Sequence, residues 1–141
     1  MEIVRLGPGD ADQVHAAAHL FDRPPRDDAT ERFLADERHH LLLAVEDDHP
    51  VGFVSGVELT HPDKGTEMFL YELAVDEAHR RHGVGRALVR SLAALARERG
   101  CYGMFVLTDD GNEAALATYA TDGAVREDGI VMFIWEPLQA P

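Results

Sequence analysis

The sequence is organised around one stretch, Tyr71-Glu72-Leu73-Ala74-Val75 followed after a short link by Arg80-Arg81-His82-Gly83-Val84-Gly85-Arg86-Ala87-Leu88. The first part predicts a strand, and the two glycines predict a tight turn. Apolar residues at helical spacing continue as far as Arg99, so a helix should follow the turn. Such a turn directs backbone N–H groups, a helix N-terminus and several arginines to one place. We expect a phosphate group to bind there.

Length and composition predict one globular domain spanning residues 1–141. A chain of 141 residues can bury a core without disulfide bonds, and Cys101 is its only cysteine. The sequence contains no apolar run of membrane-spanning length, and its first residues do not have the pattern of a signal peptide. We therefore expect a cytoplasmic protein.

The charge balance is strongly acidic. The chain has 13 Lys and Arg residues against 26 Asp and Glu residues, a net charge of −13. A surface of this sign repels nucleic acids and anionic membranes and attracts cations. Arg80, Arg81, Arg86 and Arg90 nevertheless cluster in the central stretch. Two interpretations stay open: an acidic surface without a specific role, or a cationic substrate.

Hydrophobic periodicity predicts a mixed fold of the α/β (α+β) class. Before the central stretch it predicts a strand, two helices separated by a proline-containing loop, and an antiparallel hairpin. Asp10 is expected to cap the first helix, and Gly52 and Gly56 indicate a bulge or a close backbone contact in the hairpin. The predicted bounds are strand 2–6, helix 11–21, loop 23–28, helix 30–37, and strands 41–45 and 51–59.

The predicted strand of the central stretch covers residues 67–75. Alternation puts Tyr71 and Leu73 on one face and Glu72 on the other. The helix that follows should end at Gly100, and a parallel strand should occupy residues 102–108.

The last part of the chain predicts a short helix at residues 114–120, capped by Asn112, and a hairpin of residues 124–127 and 130–135. The whole is a mixed sheet of six to seven strands flanked by about four helices. The last hairpin could extend a sheet across a homodimer, which the sequence does not decide.

Three kinds of phosphate-binding loop are candidates for residues 80–88. A P-loop requires a Gly-Lys-Ser/Thr ending, which is absent. A Rossmann turn needs a third glycine where Leu88 stands, and it normally follows the first strand. The remaining pattern, Arg/Gln-x-x-Gly-x-Gly/Ala at the start of a helix, is satisfied by Arg80 to Gly85. It resembles the pyrophosphate loop of the GNAT acetyltransferases.

The resemblance to the GNAT superfamily extends over nearly the whole chain in the order of elements. Leu73 to Leu88 is similar to the acetyl-CoA motif, and Asn112-Glu113-Ala114-Ala115-Leu116-Ala117-Thr118-Tyr119 resembles a later family motif. Glu77 stands where the family often has proline. A closer resemblance is to the aminoglycoside 3-N-acetyltransferases, which modify gentamicin and fortimicin. Its residues are Leu70 to Val75, His79-Arg80-Arg81, Asp109 to Tyr119 and Leu20-Phe21-Asp22-Arg23.

The resemblance implies an enzyme that uses acetyl-CoA and no metal. It implies direct acetyl transfer to an amine of a polycationic small molecule, most closely the 3-amino group of an aminoglycoside, and hence antibiotic resistance. One alternative is a GNAT enzyme acting on another amine, such as a polyamine, an amino acid or a protein N-terminus. Another is a non-catalytic sensor that binds acetyl-CoA.

The resemblance also implies which residues contact the cofactor. The pantetheine arm would pair with the backbone of Leu73 and Val75, and an N–H near Leu73 would polarise the acetyl carbonyl. Tyr119 would be the general acid. The implied cofactor-binding set is Leu73, Ala74, Val75, Arg80, Arg81, His82, Gly83, Val84, Gly85, Arg86, Ala87, Asn112, Ala115 and Tyr119.

Two carboxylates are candidates for the general base. Glu72 lies on the acetyl-CoA strand, and Asp109 ends the next strand on the face expected for Leu107 and Phe105. Either could accept a proton directly or through water. An aminoglycoside carries several ammonium groups, so carboxylates are also needed to bind it. The predicted substrate-binding residues are Tyr71, Glu72, Asp109, Asp110 and Glu113, with Asp27 and Asp28 as further candidates.

The eight histidines do not predict a metal site. His15 and His19 have the i, i+4 spacing of helical ligands, but no cysteine or clustered carboxylate completes a set. His79 and His82 are expected to flank the phosphate loop. Cys101 is expected to be a buried apolar residue.

Overall fold

The sheet has five strands in the computed structural model, which describes residues 1–138. They are β1 (Glu2–Leu6), β2 (His39–Glu46), β3 (His49–His61), β4 (Gly65–Val75) and β5 (Met104–Val106). β1 to β4 form an antiparallel meander, and β5 joins β4 in parallel, so the spatial order follows the sequence order. The mixed fold class is confirmed.

Helices cover both faces of the sheet. They are α1 (Ala11–Ala16), α2 (Asp27–Ala35), α3 (Val84–Glu98) and α4 (Glu113–Tyr119), with short 3-10 turns at Ala18–Leu20 and Glu77–His79. Leu88 and Leu92 of α3 pack on one face with Val54, while Val14 and Leu34 of α1 and α2 pack on the other. β2 and β3 are covered on both sides, which explains their nearly continuous apolar sequences. Within residues 1–138, no helix is long and apolar enough to cross a membrane.

Glycines define both ends of α3. Gly83, which precedes the helix, has a φ of 80°, and Gly100, which follows it, also has a φ of 80°. Side chains other than glycine are strained in this left-handed conformation. The predicted helix end at Gly100 is confirmed.

β3 lies unusually close to its neighbours at Gly52. A Cβ atom there would stand 3.0 Å from the Ala74 carbonyl oxygen of β4 and 3.1 Å from Val84 Cγ1 of α3. The same is true farther along β3, where a Cβ on Gly56 would be 3.0 Å from Leu92 Cδ1. The predicted close contact is confirmed, and it holds the first turn of α3 against the end of β4.

The first half of the chain departs from prediction at helix boundaries. α1 ends at Ala16 and a 3-10 turn continues it, and α2 begins at Asp27, inside the predicted loop. Prolines stop a preceding helix, but a helix can start soon after them because its first N–H groups have no helical partner anyway. The Asp10 side chain does not cap α1; it accepts the Gly7 N–H at 2.8 Å.

The second half departs from prediction in the sheet. The strand expected at residues 102–108 is reduced to the three residues of β5, and the expected last hairpin does not form. The described sheet therefore has five strands, not six or seven. Turn residues and strand-forming side chains are present in residues 124–135, but a strand also needs an edge to pair with.

Gly52→Ala is expected to lower the free energy of unfolding by about 1–3 kcal/mol, because the added methyl group would press on a β4 carbonyl and on α3. Urea unfolding followed by circular dichroism measures the change. Gly7→Ala is the control, since nothing lies within 4 Å of the Cβ position there. Equal stability of the two variants would contradict the close contact at Gly52.

Candidate active site

A cleft opens where the two parallel strands part. The ladder between β4 and β5 contains three residue pairs and ends at Leu70 and Val106. β4 continues for five more residues, as far as Val75, with β3 as its only strand neighbour among the described residues. One edge of β4 is therefore open over the stretch where the sequence predicted the cofactor strand.

The N–H groups of Leu73 and Val75 point into this cleft. The Glu72 N–H donates to a β3 hydroxyl 3.2 Å away, and the Asp76 N–H donates to a β3 carbonyl at 2.8 Å. Successive N–H groups along a strand point to opposite sides. Leu73 and Val75, which alternate with Glu72, Ala74 and Asp76, therefore direct their N–H groups away from β3, where a bound chain could pair with them.

The glycine turn closes one end of the cleft. Arg81 has a φ of 66° and Gly83 a φ of 80°, and α3 begins at the next residue. Left-handed residues near a helix start form a concave group of backbone N–H donors, which suits an anion. The Arg80 Nε donates to the Val75 carbonyl at 3.3 Å and so ties the turn to the end of β4.

Gly85 is the point where three elements meet. A Cβ atom there would lie 3.5 Å from Val75 Cγ2, 3.6 Å from Thr118 Cγ2 and 3.7 Å from Leu73 Cδ2. These are ordinary van der Waals distances, so the first turn of α3, the cleft edge of β4 and the last turn of α4 surround one small volume. The residue after Thr118 is Tyr119.

The charges around the turn are partly paired. Arg86 and Arg90 both approach Asp122, at 3.9 and 2.8 Å. Arg80, Arg81 and His82 are exposed. The rings of His79 and His82 lie 6.5 Å apart, edge to face, as expected for two residues beside the turn.

α4 is fixed at its start by the predicted cap. The Asn112 Oδ1 accepts the Ala115 N–H at 3.1 Å. At the other end, Tyr119 is half-buried and packs with Leu73 and Val75 against the α3 cluster. Burial raises the pKa of Tyr119 above its ordinary value.

A bulge interrupts β4 at Tyr71. Leu70 and Glu72 pair with successive residues of β3, so Tyr71 has no partner in that ladder. Leu70 and Leu73 both pack on the α3 side, which leaves Tyr71 and Glu72 together on the opposite face. The prediction that they face opposite ways is wrong, because a bulge adds one residue to the alternation.

The face shared by these two residues has space and negative charge. Glu72 is half-buried; burial raises its pKa, and the negative charge of Asp22 raises it further. Tyr71 is 63% exposed and borders a cavity of about 270 Å³. The cavity is lined by Phe33, His39, Ser55, Gly56, Val57 and Tyr71. Sequence reasoning did not select Asp22 as a site residue, although it lies in the Leu20-Phe21-Asp22-Arg23 segment that carried the closer resemblance.

The remaining predicted carboxylates are at the surface of the protein. Asp109, Asp110 and Glu113 are exposed, and none of their side chains forms a hydrogen bond or ion pair with the described residues. Because β5 ends at Val106, strand alternation does not extend to Asp109, and the predicted face shared with Leu107 is not a strand face.

Asp27 and Asp28, offered as further acceptor contacts, begin α2 and are paired locally. Asp27 lies 3.1 Å from His15 Nε2, and Asp28 lies 2.9 Å from Arg26. Among residues 1–138, no three His, Cys, Asp or Glu side chains are grouped to hold a metal ion. Cys101 is half-buried against the α3 cluster, and burial raises the pKa of its thiol.

Solved structures share this fold over nearly the whole chain. An aminoglycoside acetyltransferase, meta-AAC0020 from an uncultured soil metagenomic sample, determined with sisomicin, superposes with a TM-score of 0.87 at 22% identity, covering 95% of this chain and 94% of that one. Aminoglycoside N-acetyltransferase AAC(6')-Iy, determined with CoA, gives 0.80 at 16% identity over 95% and 98% of the chains. A ribosomal-protein-alanine N-acetyltransferase from Brucella melitensis biovar Abortus 2308 gives 0.72 at 27% identity over 94% and 100%.

Sequence comparison gives the family. Human N-acetyltransferase 8 is 27% identical over 80% of this chain and 50% of its own length, so the chain spans about half the length of the curated relatives it matches. Residues 11–123 match the family model described as acetyltransferase (GNAT) family. Since that match covers most of the chain and includes the cleft, the turn and α4, the chain belongs to the GNAT acetyltransferases, whose acyl donor is acetyl-CoA.

Proposed function

We propose that the chain transfers the acetyl group of acetyl-CoA directly to an amine of a polycationic small molecule, an aminoglycoside. The observation that carries this proposal is the bulge at Tyr71. It puts a half-buried carboxylate, Glu72, on the opposite face of the same strand whose next residue, Leu73, directs its N–H into the open cleft. Acetyl-CoA and the acceptor amine can then approach each other from the two faces of one strand.

The donor would lie along the cleft. Its diphosphate fits the concave turn, where the N–H groups of residues 81–87, the start of α3 and the exposed Arg80 and Arg81 supply positive charge. Its pantetheine arm would pair with the open edge of β4 at Leu73 and Val75. The Leu73 N–H is then available to the acetyl oxygen, where negative charge develops as the amine attacks.

Two protons have to move in this reaction. The amine loses one as it attacks the thioester, and the departing thiolate of CoA gains one. Glu72 is the better base of the two candidates, because it is half-buried with a raised pKa whereas Asp109 is exposed. Tyr119 is the acid, since its phenol carries a proton at neutral pH and its helix meets the cleft at Gly85.

The acceptor would be bound by charge. Glu72 and Asp22 lie close enough to influence each other, and the cavity beside Tyr71 adds apolar and aromatic surface. Asp109, Asp110 and Glu113 add an exposed acidic rim at the start of α4. A molecule with several ammonium groups complements this arrangement, and the net charge of −13 would speed its approach.

Two amino groups of an aminoglycoside are candidates for the position that receives the acetyl group. The sequence resemblance implies the 3-amino group, whereas the solved neighbour AAC(6')-Iy carries a 6' designation in its name. A protein N-terminus is the second candidate acceptor, because a ribosomal-protein-alanine N-acetyltransferase is 27% identical to this chain.

The substrate assignment is tested by mixing the protein with acetyl-CoA and a panel of amines. The panel contains gentamicin, sisomicin, spermidine, single amino acids and an alanine-terminated peptide. Thiol release and product mass are followed, and NMR of the product locates the acetyl group. We expect acetylation of the aminoglycosides. Turnover of the peptide or of spermidine alone would reject the aminoglycoside, and no thiol release with any amine would favour a sensor.

Tyr119→Phe is expected to lower kcat by about 10²-fold or more while leaving acetyl-CoA affinity within about twofold, because only the proton donor is removed. A thiol-release assay measures kcat, and calorimetry measures the affinity for acetyl-CoA. Tyr102→Phe is the matched control, since Tyr102 is 57% exposed and lies before β5. An unchanged kcat for Tyr119→Phe would remove Tyr119 as the acid.

Glu72→Gln is expected to separate activity from stability. Burial raises the pKa of Glu72 in the folded state, so its contribution to stability is present at low pH and is lost as the pH rises through that pKa. At pH 7 the variant should therefore unfold at the same temperature or a higher one, while kcat falls by about 10²-fold.

Glu2→Gln on β1 is the control for this variant and should change neither quantity, because Glu2 is exposed at the other edge of the sheet. A Glu72→Gln protein with full turnover would show that Glu72 is not the base. A marked loss of thermal stability at pH 7 would show that its buried charge is stabilised by a partner.

A further inference from the structure

A buried hydroxyl group lies opposite Glu72 in the middle of the sheet. It belongs to Ser55 of β3, which is 7% exposed. The residue before it, Val54, packs on the α3 side, and a Cβ atom on Gly56, the residue after it, would approach Leu92 of α3. A hydroxyl removed from water costs free energy unless it is hydrogen-bonded, so the bond that this serine forms is informative.

The Ser55 hydroxyl is bonded to the backbone of Glu72. Its Oγ accepts the Glu72 N–H at 3.2 Å, and the two residues are direct partners in the ladder between β3 and β4. Directly opposed residues of an antiparallel pair extend their side chains from the same face. Since the neighbours of Ser55 face α3, alternation puts both side chains on the α1 and α2 face, where Ser55 and Tyr71 border one cavity.

The bulge at Tyr71 reverses the direction of the backbone N–H groups along β4. Before it, the Met68 N–H donates to the Gly103 carbonyl, just ahead of β5, at 2.9 Å. After it, the Glu72 N–H donates to β3, although residues four apart in a regular strand point the same way. Because of this reversal, the Leu73 N–H points into the cleft.

The bond from Ser55 holds β4 at the first residue after the bulge. A slip of one residue would turn the Glu72 carboxylate toward α3 and the Leu73 N–H toward β3. The hydroxyl of Ser55 engages the Glu72 N–H in the observed register. One buried side chain thus stabilises the orientation of two groups that lie on different faces of the strand.

We propose that Ser55 is a positioning residue for acetyl transfer. Its hydroxyl keeps Glu72 on the acceptor side and the Leu73 N–H on the donor side of β4. This inference rests on the proposed function, in which Glu72 takes the proton of the amine and the Leu73 N–H meets the acetyl oxygen. Ser55 acts through the backbone of Glu72, so its loss should impair the chemical step more than the binding of acetyl-CoA.

The variants Ser55→Thr and Ser55→Val test the hydroxyl directly, because their side chains have the same shape and only threonine can accept the bond. The cavity beside Ser55 leaves room for the added methyl group. We expect kcat of the valine variant to be about tenfold below that of the threonine variant, the effect of one hydrogen bond. The affinity for acetyl-CoA, measured by calorimetry, should agree within about twofold, since no group of the phosphate turn is changed.

Two further variants control this comparison. Ser55→Ala, compared with the unmodified protein, removes the hydroxyl without adding a group and serves if the valine variant does not fold. Thr60→Val removes a hydroxyl from the exposed end of the same strand, where it bonds to Thr66 at 2.8 Å. This variant should keep full turnover.

Amide exchange followed by NMR tests the bond without any turnover. The Glu72 amide should exchange about tenfold faster in Ser55→Val than in Ser55→Thr, because it loses an acceptor. The Met68 amide, which is bonded on the β5 side, should be unchanged. Equal exchange of the Glu72 amide in the two variants would reject the proposal.

The kinetic outcomes separate this proposal from the proposed function. Faster exchange with equal kcat would make Ser55 a structural residue and leave the acetyltransferase assignment intact. An increased KM for the amine with unchanged kcat would make it an acceptor-binding residue. Either result rejects the positioning role. Absence of turnover by the unmodified protein with every amine would instead reject the proposed function, and the positioning role with it.

Discussion

The parting of β4 and β5 is the constraint on which the rest of the site depends. Two parallel strands that pair for only three residues leave the remainder of β4 with an open row of backbone groups. That row can exist because the crossover helix α3 holds β4 from its own face, through Leu88 and Leu92, while β3 holds its other edge. The edge that we propose as the donor-binding surface is therefore part of the core scaffold.

In the proposed mechanism, the bulge at Tyr71 gives the same strand a second role. Without it, Glu72 would lie on the face of α3, among apolar side chains. The extra residue moves Glu72 beside Tyr71 on the α1 and α2 face, near Asp22 and the cavity, while Leu73 stays on the α3 side. Such an irregularity removes one residue from the ladder and brings a carboxylate to the place where we propose that donor and acceptor meet.

Local sequence signals predicted the parts of the fold that depend on local chemistry. Gly83 and Gly100 define the ends of α3 because only glycine adopts their φ readily, and Asn112 caps α4 through its own side chain. Gly56 indicated a bulge or close contact in the hairpin, and the register of β3 and β4 does shift between Ser55 and Gly56. The sequence did not show that the extra residue would be Tyr71 on β4, because that depends on how the two strands pair. The prediction of a last hairpin was wrong for a similar reason. Residues 130–135 have the propensity of a strand, but propensity does not determine which edge of a sheet the strand pairs with.

Binding of acetyl-CoA along the open edge of β4 is the central claim, and hydrogen exchange tests it directly. Exchange of backbone amides is compared with and without CoA at saturating concentration. We predict slower exchange at Leu73, at Val75 and across residues 81–87, with β1 unchanged. Unchanged exchange at Leu73 and Val75, in a protein whose calorimetry confirms that CoA is bound, would contradict the account.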